Sequence, residues 1–132
     1  MMGWVLNRRK LLADRKLLAQ WGERRCERFL KKKGLKTLAR NFSCKAGEID
    51  IIMVAANRAI VFVEVKTRAG ESFEPVESVI TAAKKTKLTR AGRYFLSAHN
   101  IDSRPYRFDV VTIVLGRSGR PQIRHYENAF VA

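Results

Sequence analysis

The chain has 132 residues, of which 27 are Lys or Arg and 12 are Asp or Glu, giving a formal charge of +15. That length fits one domain, and 46% hydrophobic with 30% charged residues is a globular balance that excludes a disordered chain. A surface this basic attracts polyanions, nucleic acid above all, with a ribosome-associated protein or an anionic-membrane binder as the plainer alternatives.

No apolar run approaches the ~20 residues of a membrane span, so no membrane association is expected. Cys26 and Cys44 are the only cysteines. Two thiols without CxxC spacing, in a chain without a secretory signal, fit a reducing, cytoplasmic compartment. A zinc site would need more ligands, and His99 and His125 lie far apart in unremarkable contexts.

In chain order, residues 1–13 read as a basic, frayed arm. A short apolar patch precedes Arg8, Arg9 and Lys10, the reverse of a secretory signal. Residues 14–132 then form one domain. Residues 14–33 predict a helix that stops at Gly34. Leu35 to Phe42 is extended, and Glu48 to Val54 alternates and is rich in Ile. After a turn at Asn57-Arg58, Ala59 to Lys66 forms a hairpin with that strand. Residues 69–75 are a loop and 76–98 a second long helix. Arg107 to Leu115 is a β-branched strand, and Gln122 to Tyr126 an edge strand after a Gly116–Pro121 turn. This order predicts an α/β (or α+β) fold, a mixed sheet flanked by helices.

With so few acids, their positions are informative. Asp50 and Glu64 each sit inside an apolar strand, where a carboxylate is costly unless something neutralises it. Alternation puts Glu48, Asp50 and Ile52 on one face, and Phe62, Glu64 and Lys66 together on the next strand. Converging carboxylates repel, which raises a pKa or invites a cation. Mg²⁺ suits a few carboxylates completed by waters and phosphate oxygens. The plain alternative is a half-buried acid–Lys pair across a hairpin.

Two helical residues strengthen the functional reading. Glu23 shares a helix row with Ala19, Cys26 and Leu30 and so borders the buried stripe, whereas Glu27 falls with Gln20, Arg24 and Lys31 on the polar side and should be solvated. Lys84 interrupts the apolar row Ile80, Leu88, Ala91, Phe95 and should face the sheet, unless it snorkels at the helix start. Lys85, Lys87, Arg90 and Arg93 form a cationic stripe. Asp109, inside Arg107-Phe108-Asp109-Val110-Val111, either joins the site or pairs with Arg107 or a core lysine, the structural role being favoured.

An acid on one strand, Glu-x-Lys ending the next, and an acid on a preceding helix together resemble the PD-(D/E)-x-K nuclease superfamily. Gly22-Glu23, Arg40-Asn41, Gly47-Glu48-Ile49-Asp50, Phe62-Val63-Glu64-Val65-Lys66-Thr67-Arg68, Lys84 and Arg107-Phe108-Asp109-Val110-Val111 more closely resemble the bacterial YraN family, also called UPF0102. The resemblance covers nearly all of the chain after residue 20. It implies a restriction-endonuclease-like fold and kinship with archaeal Holliday-junction resolvases. It further implies Asp50 and Glu64 as metal ligands, Lys66 as the water-orienting residue and Glu23 as the helix acid. Gly-Glu-Ile-Asp replaces the superfamily's Pro-Asp, which leaves Glu48 as an extra ligand candidate.

The expected activity is a Mg²⁺- or Mn²⁺-dependent endonuclease on DNA, branched DNA included, with Arg68, Lys84, Lys87 and Arg90 holding the backbone by charge rather than by sequence. Symmetric cutting of a junction would call for a homodimer. Two rivals stand beside this reading. One is a non-catalytic nucleic-acid-binding module on the same fold. The other is a basic assembly protein whose acids are only salt bridges.

Overall fold

The computed structural model describes residues 2–131, except for the side chains of residues 2–7. Helices α1 (Met2–Ala13) and α2 (Arg15–Lys32) lead into strands β1 (Lys36–Cys44), β2 (Gly47–Val54) and β3 (Ile60–Ala69). Then come α3 (Val76–Val79), α4 (Ala82–Ala98), β4 (Tyr106–Leu115) and β5 (Gln122–Phe130). The strands form one sheet in the order β1-β2-β3-β4-β5, antiparallel except for β3 with β4, which are parallel. A parallel pair needs a crossover, and α3 and α4 supply it.

The sheet is apolar on both faces because a helix covers each. Ile52, Ile60, Phe62, Phe108 and Val110 pack against Leu88, Ala91 and Phe95 of α4. On the opposite face Ile51, Met53, Val61, Val63, Val111 and Ile113 pack against Cys26 and Leu30 of α2. Two glycines let the helices approach. A Cβ on Gly22 would lie 1.8 Å from Thr67 Oγ1, so α2 sits directly on β3 there. A Cβ on Gly92 would lie 3.1 Å from ring atoms of Phe62 and Phe108. The fold is α/β with a mixed sheet flanked by helices, in keeping with the restriction-endonuclease-like architecture.

Several local expectations are corrected. The basic start is helical rather than a frayed arm, although Met1 lies outside the described residues. Leu11 of α1 is buried with Leu18 and Leu115. Arg8 donates to the carbonyls of Gly116 (3.3 Å) and Gly119 (2.5 Å). Asp14 divides α1 from α2 by turning extended and accepting from the N–H groups of Lys16 and Leu17. The expected helix over 76–98 is two, because Ile80 is extended and Thr81 caps α4 by accepting from the Lys84 N–H. The edge strand β5 runs on to Phe130.

The alternation expected through Glu48, Asp50 and Ile52 also breaks. Asn41, between Arg40↔Ile51 and Phe42↔Ile49 in the β1–β2 register, has φ 50°, and the strand pair kinks there. Ile49 and Ile52 consequently both enter the α4 core, while Ile51 enters the α2 core. Asp50 lies at the kink.

Candidate functional site

The ladder between β2 and β3 runs from Val54↔Ile60 to Ile51↔Val63 and ends there. The next pair in that register is Asp50 opposite Glu64. In its place the Asp50 Oδ2 accepts from the Val65 N–H at 2.8 Å, a side chain doing the work of a ladder carbonyl. The strands therefore part at the two acids, and the fork opens a cleft between the helices. The Asp50 and Glu64 carboxyls line one cleft, and the charge of Glu64 acts on Asp50.

Burial and then the Glu64 charge push the Asp50 carboxyl up to about 7. Glu64 is held from α4: Lys84 Nζ donates to its Oε2 at 2.6 Å. Lys84 thus faces the sheet, as its place in an apolar row suggested. Burial disfavours its charge, but the bond to Glu64 prevails and holds the ammonium above the usual lysine range. Lys66, half-buried two residues beyond Glu64, is pulled below that range by the adjoining Lys84 and by burial. Glu23 approaches from α2, beside the Gly22–Thr67 contact. It lines a cavity with Asp50, and burial and the Glu64 charge raise its pKa.

Glu23, Asp50, Glu64, Lys66 and Lys84 therefore converge. Glu48 is exposed, but lines the same cleft as Asp50, Glu64, Lys84 and Lys87. Among the described residues no three Asp, Glu, His or Cys side chains gather into a ready metal cage. The pair at the fork, rather than a closed acid cluster, is the chemical feature. A groove of about 770 Å³, lined by Glu23 and Lys66 together with Leu12, Arg15 and Leu18, lies beside it. Of the basic residues, Lys87 and Arg90 are exposed on α4, and Arg68 is exposed but paired with Glu74 at 2.9 Å.

A model of the family described as "Uncharacterised protein family UPF0102" matches residues 22–113. The chain belongs to this family. A UPF0102 protein of Pelotomaculum thermopropionicum is 39% identical over 121 residues, 90% of this chain and 100% of that protein. Another, from Pelobacter propionicus, is 41% identical over 110 residues, covering 83% of this chain and 79% of its own. The family match spans Glu23, Glu48, Asp50, Glu64, Lys66, Arg68, Lys84, Lys87, Arg90 and Asp109, so every acid and base considered at or beside the fork lies within the UPF0102 region.

Asp109 lies outside the site. It is fully buried and accepts from Arg107 Nε (3.0 Å), the Asn128 N–H (2.9 Å) and the His125 ring at 2.8 Å. Burial pushes its carboxyl up, but the bonds from His125, Asn128 and Arg107 prevail and hold it below the usual range. The structural role is the one found, and Arg107 is among the partners named for it. His125 is not the unremarkable histidine it appears in sequence. It contacts Asp109 through Nε2, and its Nδ1 lies 2.9 Å from Lys33 Nζ.

Glu27 is likewise not solvated. It is 8% exposed and accepts from Thr37 Oγ1 (2.6 Å) and from Arg40 Nε (2.8 Å) and Nη2 (2.6 Å). Strand β1 passes over the side of α2 that a helical wheel assigns to water. The Arg40 hydrogen bonds, seconded by Thr37, lower the Glu27 carboxyl to about 2. No helix among the described residues is long and apolar enough to cross a membrane.

Proposed function

We propose that this protein is a metal-dependent endonuclease-like enzyme acting on DNA phosphodiesters, branched DNA included. The observation that carries the reading is the Asp50–Glu64 carboxylate pair at the strand fork, with Lys66 and Lys84 beside it. A structural salt bridge needs one acid and one base. Here two acids are brought together at a cost to the ionisation of Asp50, which is what a site for a multiply charged cation requires.

The donor set fits a hard divalent ion, Mg²⁺ or Mn²⁺. Such ions are commonly bound by one or two carboxylates and complete their shells with waters and phosphate oxygens. Asp50 and Glu64 would hold it, with Glu48 lining the same cleft and Glu23 lining the adjoining cavity with Asp50. When bound, it would polarise a phosphate oxygen and lower the pKa of a coordinated water. Lys66 orients the attacking water and stabilises negative charge growing on the phosphoryl oxygens. The adjoining Lys84 and burial hold its ammonium below the usual lysine range. Arg68, Lys87 and Arg90, all exposed, hold the strand through its phosphates.

The second reading is a nucleic-acid-binding module without catalysis. It is favoured by one observation: Lys84 already neutralises Glu64, leaving the pair half compensated without any metal. Incubation with branched, single-stranded and duplex DNA in Mn²⁺ separates the two readings. The nuclease reading expects nicking that Asp50→Ala abolishes. Salt-sensitive binding with no cleavage would favour the module, and cleavage that survives Asp50→Ala would come from elsewhere.

A further inference from the structure

We propose, building on the metal-site reading above, that Lys84 is a latch: it holds Glu64 in the metal-free protein and is released by a divalent cation to grip a nucleic-acid phosphate. Glu64 Oε2 is 2.6 Å from Lys84 Nζ, so the ammonium occupies an oxygen that a cation would need. A carboxylate oxygen can accept a hydrogen bond and ligate a metal at once, but here the ammonium's own charge opposes the cation's. A cation there would stand beside both Lys84 and Lys66, whose charges already oppose one another.

One of the three charges must then move, and Lys84 is the one able to. Its backbone is fixed in the first turn of α4, where its N–H bonds Thr81 Oγ1 at 3.2 Å. The flexible four-carbon stem ends in a partly open position, with the Lys84 side chain 36% exposed against 12% for Glu64. Lys87, one turn along, lines the same cleft and marks where the freed ammonium would meet a phosphate. Metal and nucleic acid would thereby bind cooperatively, and linkage makes the coupling equal in both directions.

The test has two readouts besides activity. Calorimetry of Mn²⁺ binding without nucleic acid should give Lys84→Met an affinity about fivefold or more above wild type, since the competitor is gone. Lys87→Met, which removes the same charge from the same cleft without touching Glu64, should change it far less. Binding of a phosphorothioate oligonucleotide, which resists cleavage, should strengthen with Mn²⁺ by the same factor in wild type and Lys87→Met, and by a smaller factor in Lys84→Met. Lys84→Gln, which keeps an uncharged donor for Glu64 and so safeguards the fold, should gain affinity in the same direction, because the opposing charge is removed. Equal or weaker Mn²⁺ affinity in both Lys84 variants, or an undiminished gain with Mn²⁺, would overturn the latch while leaving the metal site standing. No Mn²⁺ heat in any of the proteins would overturn both.

Discussion

In the folded, metal-free chain Asp50 ionises only near pH 7, because burial and the Glu64 charge both act against it. An unfolded aspartate ionises near pH 3.9. Between those values the folded state keeps a proton that the unfolded state has lost, so this residue's contribution to stability falls as pH rises. Asp50→Asn keeps an acceptor for the Val65 N–H without the charge. It should match wild type near pH 4 and exceed it by a few kcal/mol, about 4 at most, at pH 8. Glu27 behaves in the opposite sense. Its carboxyl is held at about 2, so its contribution is complete above the unfolded value and is lost as pH falls toward 2. Glu27→Gln should cost on the order of 2 kcal/mol at pH 7 and progressively less toward pH 2. Urea midpoints of the three proteins against pH check both slopes.

At the scale of elements, the contact of α2 with β3 at Gly22 and Thr67 is what brings Glu23 to the fork. Gly22→Ala drives a methyl into the Thr67 hydroxyl and should cost about 1–3 kcal/mol, read as a fall in the thermal midpoint with Glu23 displaced from the cleft. An unchanged midpoint would mean that α2 is free to shift. The same elements show what the sequence could reveal. Strand alternation and helix rows depend only on local geometry, and they placed Glu64 with Lys66, Glu23 at the border of the buried stripe and Lys84 toward the sheet, while Asp50 stood out as an acid inside an apolar strand. They failed where a remote element decides the environment. Glu27 lies on the polar side of its own helix, and only the course of β1 buries it. His125 gains its meaning from Asp109 on the adjoining strand. The kink at Asn41 reverses the alternation of β2, and a lone asparagine within a strand pattern carries too weak a signal to announce it. The break at Thr81 was legible in principle, since threonine three residues ahead of Lys84 is an ordinary helix cap.

The molecule as a whole carries +15, yet Glu23, Asp50 and Glu64 come together at the fork. Under the proposed nuclease reading, basic residues elsewhere would supply attraction and the fork the chemistry. Neutralising Arg68, Lys87 and Arg90 together should weaken DNA binding about equally across sequences and flatten its salt dependence by about one unit of slope per lost phosphate contact. An unchanged slope would put the nucleic acid elsewhere. The measurement that bears most directly on the central claim is Mn²⁺ calorimetry at pH 7.5 on wild type, Asp50→Asn and Glu64→Gln, each verified as folded by circular dichroism. A carboxylate pair that holds a cation predicts saturable heat for the wild type and its loss in both variants. Heat that persists in the variants, or none in the wild type, would contradict it.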